Sequence, residues 1–302
     1  MERNITLDCF KIFLSILVIT IHLGARLIDS HPLWNWFISQ GIARIAVPCF
    51  FIINGYYLAK KINDFNATKK YILHLLVIYT TWFFLYTLFY TKQFNLVTLL
   101  QDFLLGSLHL WYVISLICGC ILLFVLKKRI RNDHILLFFV ILLFFTGIVL
   151  EKMKVDVRNG LFIGFPFVFL GYYIKSKESL VSKIKDIYLI PFTLLCCTML
   201  LIESFFAFRA YIAHDIYISL IILCPLIFIL ILKHSIYRPN NNYLMILGSI
   251  ASAIYFIHPF IILFLSNIEF PYTMIRFVIV CLLSFISSIF IIYINRYIKI
   301  FV

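Results

Sequence analysis

The sequence predicts an all-α, polytopic integral membrane protein: a helical bundle of about ten transmembrane helices with both termini in the cytoplasm. Three observations predict it. Hydrophobic residues make up 64% of the 302 positions and charged residues only 13%, against roughly 45–50% and about 25% in soluble domains. Aromatic residues reach 18%, more apolar surface than a water-soluble fold can hide. The apolar residues come in long continuous runs rather than the alternation of a membrane β-barrel. A cytosolic globular enzyme, a disordered chain and a nucleic-acid-binding module are thereby excluded.

A helix rises 1.5 Å per residue, so each span needs about 20 apolar residues. The runs place spans at 6–24, 36–59, 71–91, 108–126, 134–150, 160–175, 187–206, 211–232, 243–268 and 272–295. The amphipathic segment 94–107 fits an interfacial helix and marks the weakest boundary. The first run carries Asp8 and Lys11 and no small-x-small cleavage site, so it reads as a retained span rather than a cleaved signal. No linker, repeat or low-complexity tract divides the chain, and residues 1–302 read as a single membrane domain with no separate soluble domain.

The net charge of +13 follows the rule that basic residues stay on the cytoplasmic side. The N-terminus, the even-numbered loops and the C-terminus hold 17 of the 26 Lys and Arg, the odd-numbered loops hold 6, and Lys11, Arg44 and Arg276 lie within spans. This asymmetry orients both termini inward. The eight cysteines, Cys9, Cys49, Cys118, Cys120, Cys196, Cys197, Cys224 and Cys281, all fall in apolar runs and show neither a disulfide framework nor zinc spacing. No metal is expected.

An ionisable residue inside an apolar span costs at least ~2.5–3.5 kcal/mol on insertion scales. Once oriented, most of these residues fall in the outer half of the membrane. They are His22 in span 1, Arg44 in span 2, His109 and Trp111 opening span 4, Arg158 and Asn159 before span 6, Glu203 and Arg209 with His214 and Asp215 around the turn between spans 7 and 8, and His258 in span 9. One reading is helix–helix glue; the other is a functional cavity with an imidazole base and an arginine to hold an anionic or carbonyl oxygen. Asp8 and Lys11 lie in the inner part of span 1. Lys11 and His22 are eleven residues apart, about 16 Å along the axis and on one face. A long anionic ligand entering from the cytoplasm would touch both, although a snorkelling lysine also accounts for Lys11. Pro48 follows Arg44 by four residues and Pro259 follows His258 directly. A proline frees a backbone carbonyl and kinks the helix.

Five motifs then resemble the membrane-bound acyltransferase-3 family, in that family's order. RNITLDCFKIFLSILVITIH supplies Arg3, Asp8, Lys11 and His22, with Lys11 where the family usually has Arg. ARIAVPCFFIINGYYL carries Arg44 and a Phe-Phe-x-x-Ser-Gly-x-x-Leu element with Asn54 in place of Ser. HLWY begins at His109, RNGLFIGFPFVFLGYYI at Arg158, and SAIYFIHPF contains His258.

The resemblance implies an O-acyltransferase that moves an acyl group, usually acetyl from acetyl-CoA, onto hydroxyls of surface or polyprenyl-linked saccharides in a bacterial inner membrane. The partners it implies are acyl-CoA, a glycan acceptor and the lipid bilayer, with no nucleic acid. It implies catalytic roles for His22, Asp8 and Arg44, and donor binding by Arg3 and Lys11. Acceptor binding would fall to Arg158, Asn159, Trp111, His109, Glu203 and His258. Some members carry an extra hydrolase-like domain; with none here, the membrane domain would perform the whole transfer. A transporter or flippase of lipid-linked sugar is the competing class, since kinked helices with polar residues serve both.

Overall fold

The computed structural model describes residues 2–23, 31–90, 95–239, 241–270 and 273–302. Gly24, Arg26 and Lys92, with the predicted boundaries at 91, 94 and 272, lie outside the described residues. The protein is an all-α, multi-pass membrane bundle. In chain order its helices are α1 (Ile5–Leu23), α2 (Pro32–Trp36), α3 (Ala46–Leu58), α4 (Phe65–Tyr90), α5 (Leu96–Leu105), α6 (Trp111–Arg129), α7 (Asp133–Lys152), α8 (Phe165–Ser176), α9 (Glu178–Val181), α10 (Asp186–Ala210), α11 (Leu220–Lys233), α12 (Asn242–Phe264) and α13 (Thr273–Ile298). The strands β1 (Glu2–Asn4) and β2 (Tyr237–Pro239) form an antiparallel pair.

Among the described residues, eight helical stretches are long and apolar enough to cross a membrane. They occupy eight of the ten predicted positions. At the other two stand shorter apolar helices, Gly160–Ser176 and Leu220–Lys233. The predicted span 211–232 is shortened for a physical reason. Tyr211 adopts the left-handed conformation (φ 55°) that ends α10, and residues 212–219 are non-helical and engaged by side chains described below. Hydropathy counts the apolar residues of this segment but not those engagements. The segment predicted as interfacial contains α5, capped by Asn95, whose side chain accepts from the Val97 and Thr98 amides. Asn132 and Asn241 start α7 and α12 in the same way. Leu88, Phe138, Ile187 and Phe290 stand exposed on their helices, as lipid-facing residues do.

The chain forms two compact units. Unit 1 comprises Met1–Phe50 and Ile184–Val302. In it α1 packs against α12, α12 against α13, and α10 against α11. Unit 2 comprises Phe51–Lys183 and packs α6 against α4, α8 and a π-helical turn at Gly160–Gly164. The close approach of α3 to α8 requires glycine at both contacts. A Cβ on Gly55 would overlap the Val168 carbonyl, and one on Gly171 would overlap the Ile52 carbonyl. Small residues let backbones meet this way in lipid, where dispersion rather than hydrophobicity joins helices.

Candidate active site

Unit 1 brings together three of the predicted residues. The rings of His22 and His258 lie 5.2 Å apart, centroid to centroid, at 48°. His258 is fully buried, and its Nδ1 lies 3.1 Å from the Ile254 carbonyl. A carbonyl only accepts, so Nδ1 carries the proton and Nε2 keeps its lone pair in the neutral ring. Pro259 cannot donate to the Tyr255 carbonyl one turn back, and the Tyr255 ring lies 6.1 Å from that of His258. His22 stands exposed near the end of α1.

Arg44 is the electrostatic neighbour of His22. It sits on a 3-10 turn, Ile42–Ile45, preceded by a π-helical turn, Phe37–Gly41. Pro48 accounts for part of this irregularity, because its ring opposes the carbonyl of Arg44. The guanidinium is held on two sides. Nη1 donates to Asp215 Oδ1 (2.8 Å) and Nη2 donates to Gln40 Oε1. Its Nε is buried with no hydrogen-bond partner among the described residues.

A second cluster forms at the other end of α1. Asp8 is 4% exposed and receives Arg3 Nε at 2.5 Å and Lys11 Nζ at 2.6 Å. The structure therefore places Asp8 with Arg3 and Lys11, about 21 Å along the helix from His22. The β1–β2 pairing sets Arg3 opposite Arg238. The Arg3 guanidinium also lies where a Cβ on Gly248 would sit, so any larger residue there would displace it from this position. A single carboxylate thus faces a concentration of positive charge, an arrangement suited to phosphate groups.

The remaining predicted residues have other surroundings. Glu203 in α10 accepts from the Ser219 amide (3.2 Å) and hydroxyl (2.7 Å). His109, Trp111, Arg158 and Asn159 belong to unit 2. His109 is buried at 2% exposure, edge-on to Tyr86 with centroids 4.9 Å apart. Trp111 begins α6 and is half-buried. Arg158 is exposed and pairs with Asp156 at 3.3 Å. Asn159 accepts from the Leu161 and Phe162 amides (3.0 and 3.1 Å) and so caps the Gly160 turn. Unit 2 also holds a polar chain in which Tyr71 donates to Asn54 (2.7 Å) and Asn54 donates to Tyr112 (3.1 Å).

Sequence reasoning placed Asp215 in the outer-half group but gave it no role, and it left out Gln40 and Gly248. Gln40 was findable, one helical turn before Arg44, and Asp215 stood out as a carboxylate in an apolar run. Nothing local marks Gly248. Among the described residues, no three His, Cys, Asp or Glu side chains are grouped to hold a metal.

The acyltransferase-3 family (Acyl_transf_3, an acyltransferase domain) matches residues 4–293. The chain belongs to the acyltransferase-3 family. Its curated relatives include an amino-acid racemase of Enterococcus faecalis, 26% identical over 93% of this chain and 45% of that protein. A serine/alanine racemase of Enterococcus gallinarum is 26% identical over 86% of this chain and 41% of its own length. This acyltransferase-3 chain thus spans a little under half the length of these relatives. No solved structure matches it.

Proposed function

We propose that the protein is a membrane acyltransferase that moves an acetyl group from cytosolic acetyl-CoA to a hydroxyl of a surface or polyprenyl-linked saccharide in a bacterial inner membrane. One observation carries the reading. A single helix, α1, carries Asp8 and Lys11 beside Arg3 at one end and His22 beside His258 and Arg44 at the other. The first suits the phosphates of a nucleotide donor and the second suits acyl chemistry.

In this reading Arg3 and Lys11 bind the donor phosphates, and Asp8 holds both cations in place. The pantetheine arm runs along α1. His22 takes the proton of the acceptor hydroxyl as its oxygen attacks the thioester carbonyl. The C–S bond then breaks, coenzyme A leaves as a thiolate, and the imidazolium returns the proton to it. Arg44 donates to the carbonyl oxygen as negative charge develops there. His258, with Nε2 unprotonated, orients His22. Glu203, His109, Trp111, Arg158 and Asn159 remain acceptor-side candidates, with Glu203 and Asn159 acting through the loops they pin.

A second acceptor class is favoured by the relatives named for amino-acid racemisation: a hydroxyl-bearing amino acid in place of a sugar. The test compares cells carrying wild-type protein, His22→Ala protein or none. Surface glycans are read by proton NMR before and after mild alkali, and small-molecule extracts by mass spectrometry. An alkali-labile O-acetyl signal on glycan only with wild type supports the saccharide reading. O-acetylated amino acid in the extract supports the second. Identical profiles in all three, with lipid-linked precursor accumulating when the protein is absent, point to a flippase and sink both.

A further inference from the structure

We propose that Asp215 is a positioning residue for Arg44, and that the non-helical segment 211–219 is the element that holds it there. The proposal rests on the acyl-transfer reading and extends it to a residue and a segment outside the site assigned so far.

Residues 211–219 are apolar enough to read as the start of a span, yet they do not form one. They are fixed instead by two carboxylates. At one end Glu203 accepts both the amide and the hydroxyl of Ser219. In the middle Asp215 accepts Arg44 Nη1 at 2.8 Å. Between them Ile216 and Tyr217 are buried at 4% and 3% exposure, and the His214 ring lies edge-on to Tyr217 at 5.9 Å. The segment therefore cannot slide without breaking a carboxylate contact or exposing buried side chains.

Arg44 gains a single orientation from this. Asp215 takes one terminal nitrogen and Gln40 the other, so the planar fork is held on both arms. The side chains of Arg44 and Asp215 are 14% and 30% exposed. A partly solvated pair of this kind adds little to stability, and its main effect is geometric. It fixes which edge of the guanidinium faces His22. A displacement of about 1 Å in such a group is enough to slow a reaction about 100-fold.

The experiment uses full-length protein in proteoliposomes with two readouts, for wild type, Asp215→Asn and Asp215→Glu. The first is labelling of Arg44 by phenylglyoxal, followed by peptide mass spectrometry. Asp215→Asn should label several-fold faster, and Asp215→Glu close to wild type. Equal rates for all three overturn the proposal. The second is thiol release from acetyl-CoA in the presence of polysaccharide extracted from the cells. Asp215→Asn should lose about 10- to 100-fold in kcat with the KM for acetyl-CoA within about twofold, and Asp215→Glu should recover most of the loss. Unchanged kcat overturns the proposal. So does a loss that merely follows the unfolded fraction in a melting curve, with normal labelling of the folded remainder. If wild type releases no thiol with polysaccharide, nor with serine offered in its place, the acyl-transfer reading falls, and labelling alone decides whether Asp215 positions Arg44.

Discussion

His22 and His258, from the first and the penultimate long helices of the chain, place their imidazoles 5.2 Å apart. One is exposed near a helix end and the other is fully buried against its own backbone. This division of labour suits a base and its support. His22→Ala should therefore lower acetyl transfer by about 100- to 10,000-fold, the range for a general base. His258→Gln should lower it less, because it removes an orienting ring rather than the base. Transfer from labelled acetyl-CoA, normalised to inserted protein, checks both. Wild-type rates for His22→Ala would remove it from the chemistry.

Arg44 should not tolerate lysine. A single ammonium nitrogen cannot reproduce the planar fork that meets Asp215 and Gln40 on separate nitrogens. Arg44→Lys should fall at least about 10-fold in kcat and Arg44→Ala about 100- to 1,000-fold, as for loss of an oxyanion donor. Steady-state kinetics at saturating donor would show it. Equal activity of Arg44→Lys and wild type would mean that only charge matters at this position.

Lys11→Gln should act on the donor alone. If Lys11 meets phosphate in both ground and transition states, the KM for acetyl-CoA rises several-fold while kcat holds. A fall in kcat with constant KM would place Lys11 elsewhere in the mechanism.

Gly55→Val should destabilise unit 2. The added Cβ meets the Val168 backbone carbonyl, which cannot rotate aside as a side chain would. Overpacking of this kind costs about 1–3 kcal/mol. The melting temperature in detergent should fall, whereas Ala59→Val, one turn along, should leave it nearly unchanged.

Acid should weaken one contact in unit 2. Lys175 and then Tyr56 hydrogen-bond to Glu178, and they hold its carboxyl below the ordinary value of 4.5. Its contribution is thus complete at neutral pH and is lost as pH falls through the lowered value. Glu178→Gln should flatten that part of the decline in melting temperature between neutral and strongly acid pH. An unchanged acid slope would show that the pair contributes nothing.

The positions of the spans were legible because lipid leaves the backbone few alternatives, so long apolar runs must become helices. Segment 211–219 was not legible by the same means. It is held by Asp215 and Ser219 reaching Arg44 and Glu203, contacts that no hydropathy average contains. His22, Arg44 and His258, read as lying at one depth, are neighbours in the structure. The same reading also gathered Asn159, whose amide is spent on capping a turn. Depth says how far along the membrane normal a residue lies, not which way its side chain turns. Asp8 shows the converse: its cation partners stand within one helical turn or in the adjoining strand, so its surroundings were readable from local spacing.

The strand at the N-terminus pairs with residues 237–239, and Arg3 is wedged against Gly248. Together these fix the phase of α1 as well as its height. Lys11 and His22 share a face only because eleven residues bring the helix round to within about 20° of a whole number of turns. One residue inserted between them would swing His22 through about 100° while the anchored end stayed put. Seven inserted residues would restore the facing but add about 10 Å. Used this way, α1 is a gauge, and the reach of any donor that spans it is written in the number of residues between its two ends.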